Sequence, residues 1–363
     1  MGTTVPVMGH DEAFGLAVEN TAYGTPATPD VWFRPVSNTY KAMPRVGPLQ
    51  GPSGKMVPLR YISATAVRHF TDVPDRSGTV VLECEYDDIG WILANVFGNP
   101  NTVDGTVNSA THTFTLPDAT PSAMPGSLTT ARVTGLEQHQ LAGGMINTWT
   151  LRGQSGQYIT QSCDFIGSVG GQAHVADVVG TLSSAPWMEF YHSKISISSD
   201  LDVGNLVDLD GGEDVSEWTL TMNNNLLVEE AAGAATWGIR PPVWNDFRTC
   251  ELAFSHRWVS DTVFDLIHPA TESARYRYVR LTIDSGVATG GDAGDWSMTV
   301  DFPAGVFLGD VTDYAGGGSA LVENVRIQAG SISTTAPVTI TLINNTQELL
   351  GTPLLYAYGE DPN

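Results

Sequence analysis

The chain has 363 residues, enough for two domains of ordinary size. Its 40 acidic and 17 basic side chains give a formal net charge of -23, which argues against nucleic-acid binding, because that needs cations to displace counterions from phosphate. Only 16% of residues are charged, 38 are Gly and 21 are Pro. The short apolar stretches between them are rich in Thr, Val and Ser, a composition of strands joined by turns.

In Met1–Val18, Pro6, His10, Asp11 and Glu12 interrupt any apolar core, so no signal peptide is expected. No stretch approaches the ~20 apolar residues of a membrane helix. Cys84, Cys163 and Cys250 are odd in number and far apart, which suits buried thiols in a reducing cytoplasm rather than a disulfide framework.

Alternation of period two predicts strands at Thr79–Glu85, Thr111–Leu116, Leu128–Val133, Ile146–Leu151 and Tyr158–Phe165. In the second half it predicts them at Lys194–Ser198, Trp218–Met222, Thr249–Phe254, Tyr276–Ile283, Trp296–Phe302, Val322–Ala329 and Val338–Leu342. Helical spacing occurs at Asp87–Phe97, with acids at its start, and at Ser260–Ile267, with Ser260 as N-cap and Pro269 beyond its end. Each helix follows a strand of acid–apolar alternation, Val80–Tyr86 or Thr249–Phe254, and precedes several strands. The two blocks lie roughly 170 residues apart and suggest a duplicated strand–helix–strands unit. The expected division is residues 1–183 and 184–345, with an arm at 346–363. The stretch Asn38–Pro58, rich in Gly and Pro and without a period, reads as a long loop.

Charge is uneven along the chain. Seven basic residues, among them Lys41, Arg45 and Lys55, fall between Arg34 and Arg76, whereas no Lys or Arg lies between Lys194 and Arg240. That second window holds Asp200, Asp202, Asp208, Asp210, Glu213, Asp214, Glu217, Glu229 and Glu230.

Catalytic patterns are not found. Gly153-Gln154-Ser155-Gly156 is one residue short of a nucleophile elbow. Around Gly51-Pro52-Ser53-Gly54-Lys55, Leu49 and Met56 replace the first Gly and the magnesium-binding hydroxyl of a phosphate loop. His112 reads as a pleat residue rather than a metal ligand. The Asp208–Asp214 run reads as a solvated acidic turn, since Gly212 stands where a calcium loop needs an oxygen ligand. Glu83 and Glu85 share a strand face and read as water-facing acids rather than a glycosidase pair. No catalytic residue, cofactor or metal is expected.

Ala17–Pro29 (AVENTAYGTPATP) resembles the opening of tail tube proteins of long-tailed bacteriophages, through Glu19, Tyr23, Gly24, Thr25 and Pro26. Other segments resemble the same family in the same order: Trp91–Leu93 with Gly98, His112–Thr115, Asp164–Gly167 and Trp218–Leu226. The resemblance implies a mainly-β fold, here two tandem tail-tube-type β-sandwich or partial-barrel domains, each flanked by a short α-helix. It implies a non-enzymatic virion protein, assembled in the host cytoplasm into stacked rings that form the conduit for genome ejection. A chain with two tandem copies is expected to make trimeric rings of pseudo-sixfold symmetry. Expected partners are further copies, a tape measure protein and terminator or tip proteins; DNA passes the lumen without specific binding, and no membrane is involved. Lys41, Arg45 and Lys55 on one side, and Asp208, Asp210, Glu213 and Asp214 on the other, are candidates for the inter-ring faces. Alternatives are another virion part (tail terminator, adaptor or capsid decoration protein) and a carbohydrate-binding β-sandwich, which the nine Trp and 11 Tyr would serve.

Overall fold

The structure is a computed structural model. It describes residues 13–19, 24–39, 41–43, 46–47, 70–71, 75–98, 101–104, 109–116, 126–133, 137–167, 172–176, 182–209, 215–227, 242–257, 276–308, 322–330 and 336–346. The helix expected at Ser260–Ile267 and the arm beyond residue 346 lie outside them.

The first strands are β1 (Ala13–Val18), β2 (Val31–Phe33), β3 (Pro35–Asn38), β4 (Lys41–Met43), β5 (Val46–Gly47), β6 (Phe70–Thr71) and β7 (Asp75–Glu83), followed by helix α1 (Ile89–Phe97). Then come β8 (Asn101–Asp104), β9 (Ala110–Thr115), β10 (Leu128–Val133), β11 (Glu137–Gln154), β12 (Thr160–Gly167), β13 (Gln172–Ala176), β14 (Ser193–Ser198), β15 (Leu206–Leu209) and β16 (Val215–Asn223). The last are β17 (Leu226–Leu227), β18 (Val243–Trp244), β19 (Thr249–Arg257), β20 (Tyr276–Ala288), β21 (Asp295–Phe307), β22 (Val322–Ala329) and β23 (Thr339–Asn344). The protein is thus mainly β, as the alternation indicates. In β12, Gln161, Cys163, Phe165 and Gly167 are buried while their neighbours are half-exposed, and β16, β20, β21 and β23 alternate in the same way.

Two expectations change. The span Asn38–Pro58 is not loop throughout: β4 pairs with Asp75–Ser77 of β7, and β5 pairs with β6. Edge strands this short are too brief to show a period. Glu85 does not face water; it is 6% exposed and bridges to Trp187. It lies just beyond β7, where the chain turns inward to begin α1.

Nineteen strands form one hydrogen-bonded network, and every pairing in it is antiparallel. One run of it is β2–β1–β10–β11, with β13 on the other side of the N-terminal part of β11. The C-terminal part of β11 carries β12, then β7, then β3 and β4. A matching set follows. The run β15–β14–β20–β21 corresponds to β2–β1–β10–β11, with β23 beside β21 where β13 lies beside β11. The run β21–β22–β19–β16 corresponds to β11–β12–β7–β3. The two sets join where β11 pairs with β16 and where β9 pairs with β23.

One continuous core serves both sets. It holds Trp149, Phe165 and Leu82 from the first and Trp218, Leu281, Val300 and Phe302 from the second, all nearly inaccessible. Helix α1 packs against β9 and β11, with Phe97 edge-on to Trp149 at 6.4 Å. Its C-terminal end is closed by Gly98, whose N–H bonds to Ala94 O, and by Arg248, whose Nη2 donates to Val96 O. A cation there also suits the negative end of the helix dipole. The three cysteines are buried and free.

Candidate functional site

Glu19 follows β1 and is 1% exposed. Its Oε2 accepts the N–H of Gly24 at 2.7 Å and the Ser127 hydroxyl at 2.8 Å. Its Oε1 accepts the N–H of Gly143 at 2.5 Å and the Thr129 hydroxyl at 3.2 Å. Burial pushes the carboxyl above its usual range, and the bonds from Gly143, Gly24, Ser127 and Thr129 only partly pull it back. Gly24 is buried at φ 75°, in the left-handed region where a Cβ is disfavoured. The spacing of Glu19 and Gly24 is therefore a closed loop around one carboxylate. Thr25 is exposed, Pro26 is half-buried, and Tyr23 lies outside the described residues. Ser127, Thr129 and Gly143 are missed by sequence reasoning, because they reach Glu19 from more than a hundred residues away.

In the matching set an acid again follows the first strand. Asp200, just beyond β14, accepts from the N–H of Asp202, the Ser198 hydroxyl and Asn205 Nδ2. These bonds hold its carboxyl below the usual range.

Of the charged candidates, Asp208 lies in β15, ion-paired with Lys194 at 2.5 Å and bonded by the Ser196 hydroxyl at 2.7 Å. Burial raises its carboxyl, but Lys194 and Ser196 outweigh that and hold it below the ordinary range. Part of the acidic window is therefore balanced within its own subunit. Lys41 takes part in β4, paired across from Ser77. Arg45, Lys55, Asp210, Glu213 and Asp214 lie outside the described residues.

Near the start of α1, Arg34 stands over the Trp187 ring at 5.4 Å and 3.8 Å from Glu85. The second Glu85 oxygen is buried without a hydrogen bond among the described residues. Asp88 occupies the N-cap of α1 but makes no capping bond. Burial, reinforced by the charges of Glu85 and Asp87, pushes it up to about 8. Asp87 instead accepts the N–H of Asn345 at 3.0 Å and the Thr346 hydroxyl at 3.3 Å, tying the end of β23 to the helix.

His112, fully buried in β9, also binds the end of β23. Its Nε2 faces two oxygens, Asn344 Oδ1 at 3.0 Å and Thr346 O at 2.8 Å, so Nε2 carries the proton. Its Nδ1 then accepts the Thr102 hydroxyl at 2.9 Å. Both nitrogens are engaged in joining strands, which matches the pleat reading. Among the described residues no group of three or more His, Cys, Asp or Glu could hold a metal ion, and no helix is long and apolar enough to cross a membrane.

Extended antiparallel strands, a core shared by two matching sets and polar groups that tie strands together define a mainly-β protein. The family model described as phage tail tube protein matches residues 9–266, well over half of the chain. The chain belongs to the phage tail tube protein family, and is thereby a structural component of the virion tail. No curated protein matches it.

Proposed function

We propose that the protein is the major tail tube subunit of a long-tailed phage. It assembles in the host cytoplasm into rings that stack head-to-tail as the hollow conduit for genome ejection. Its role is structural rather than enzymatic. Tape measure protein fills the tube during assembly, terminator and tip proteins close its ends, and DNA passes without specific binding. The family match carries this reading. The excess of acid suits a lumen that must not retain phosphate backbone.

The repeated strand pairings support the further reading that the chain holds two tandem tube domains, residues 1–183 and 184–345, with three chains per ring. The basic Arg34–Arg76 region and the acidic window from Asp200 are the candidate stacking faces. Negative-stain class averages of purified protein are the test. Threefold rings or tubes are expected; a strictly monomeric protein at high concentration and low salt would sink the tube reading, and true sixfold rings of six chains would sink the tandem one.

A further inference from the structure

Residues 186–190, which lead from the first strand set into the second, are held as an extended segment between the end of β7 and residues 157–159. Met188 N–H donates to Cys84 O at 2.9 Å, Ile159 N–H to Met188 O at 2.8 Å, and Phe190 N–H to Gln157 O at 3.1 Å. Met188 and Phe190 are buried, so Trp187 and Glu189, which alternate with them, turn to the opposite face. Isolated bridges place Glu85 across from Trp187 and Tyr158 across from Glu189. Tyr191 follows, its ring edge-on to His192 at 4.4 Å. Tyr158 is 55% exposed and Tyr191 72%, which leaves ring faces open to a partner.

One end of this face is already filled. Arg34 stands over the Trp187 ring at 5.4 Å with a Glu85 oxygen 3.8 Å away, so an aromatic face and a carboxylate hold one guanidinium together. The other Glu85 oxygen is buried without a hydrogen bond among the described residues, so even this end has room for a further donor. The Tyr158 ring lies 5.6 Å from that of Trp187 and leads to the second end, which has the same chemistry. There the Glu189 carboxylate is close enough to hold the Tyr191 hydroxyl above its usual range. Yet among the described residues no Lys or Arg is ion-paired with Glu189. His192 does not fill the place. Burial holds its imidazole below the usual range, hence neutral at pH 7, and its Nδ1 accepts the Glu189 N–H at 3.2 Å.

We infer that Tyr158, Glu189 and Tyr191 form a docking site for an arginine side chain of a protein partner, which repeats from outside the contact that Arg34 makes within the chain. Charge favours this occupant. The chain carries a formal net charge of -23, which draws a cationic segment and repels phosphate. A neutral sugar could stack on the tyrosine rings but would leave Glu189 without a counter-charge. Arginine suits the site better than lysine, because its planar guanidinium stacks on a ring while its fork reaches a carboxylate. The site lies within one chain and does not depend on the tube reading.

The test titrates the full-length protein with a hexa-arginine peptide in about 0.15 M salt, where long-range attraction is largely screened. Wild type should bind, and the double variant Tyr158→Leu/Tyr191→Leu should bind about tenfold more weakly, as the loss of two exposed cation–π contacts implies. Both rings are exposed, so leucine there spares the core, and circular dichroism checks the fold. Glu189→Gln should weaken binding more than Asp202→Asn, which removes one exposed acid from the loop between β14 and β15. No binding by wild type would overturn the inference. Equal affinity for wild type and the tyrosine variant, or equal loss from Glu189→Gln and Asp202→Asn, would show attraction by net charge alone and would overturn it too. A neutral oligosaccharide whose binding is lost with the tyrosines, while hexa-arginine binding is not, would assign the rings to a glycan instead.

Discussion

The Glu19 carboxylate accepts the backbone N–H of Gly24 at 2.7 Å while also holding Gly143, Ser127 and Thr129. A single side chain thus fixes the exit from β1 to the start of β10 and to the middle of β11. Glu19→Gln keeps the shape but turns an amide NH2 toward groups that are themselves donors. It should cost about 1–3 kcal/mol, the range for hydrogen bonds to charged groups and for buried donors left unsatisfied. Urea unfolding measures this, and an unchanged midpoint would show that the loop does not depend on the carboxylate. Gly24→Ala should add strain through its φ of 75° without touching the carboxylate.

Asp88 makes stability depend on pH. Its folded value of about 8 lies above its ordinary 3.8, so the folded state keeps a proton that the unfolded chain gives up. The contribution is complete below about pH 4, falls by about 1.4 kcal/mol per pH unit, and is gone once pH passes the folded value. Asp88→Asn should remove that slope. Its stability relative to wild type should rise between pH 5 and 8 and level off above. Parallel curves for the two proteins would show that Asp88 is not the proton binder.

Gly153 lies across from Trp218, and a Cβ there would come within 2.5 Å of the indole ring. The ring is held by its own Nε1–H bond to Ser193 Oγ at 2.9 Å. Gly153→Ala should therefore destabilise by about 1–3 kcal/mol, as overpacking does. Denaturant unfolding measures the lost stability; a wild-type curve would mean the ring moves freely.

If opposite charge stacks the rings, reversing Lys41, Arg45 and Lys55 to Glu should shorten or abolish tubes while single rings persist. Electron microscopy at low and high salt reads the outcome, because screening should weaken wild-type stacking in the same direction. Full-length tubes from the triple variant would assign the basic stretch to local charge balance instead, of the kind the Lys194–Asp208 pair provides between β14 and β15.

Much of the fold was legible because buried strands write their period into the sequence. The inward residues of β12, β16, β21 and β23 alternate as expected, and α1 begins within two residues of its expected start. Three kinds of element escaped. β1 is buried on both faces and shows no alternation. β3, β4 and β8 are short edges with little side-chain pattern. β11 runs for 18 residues, well past the expected Ile146–Leu151, because it leaves one group of neighbours for another and changes which face is inward. At the site, Glu19 and Gly24 were visible as a motif, yet their purpose was not. The partners that give the motif its meaning are distant in sequence, and no local pattern encodes a contact across β10 and β11.

The β11–β16 joint also governs how the chain can be made. During synthesis β11 emerges with one side unsatisfied, and it waits for residues 215–223 before that side is paired. Until then the nascent chain displays a long apolar-backed strand able to pair with any neighbour, a state prone to aggregation. Translation rate and chaperone capture across residues 155–223 should therefore set the yield of soluble subunit more than the final stability does. A truncation ending before β16 would leave that exposure permanent.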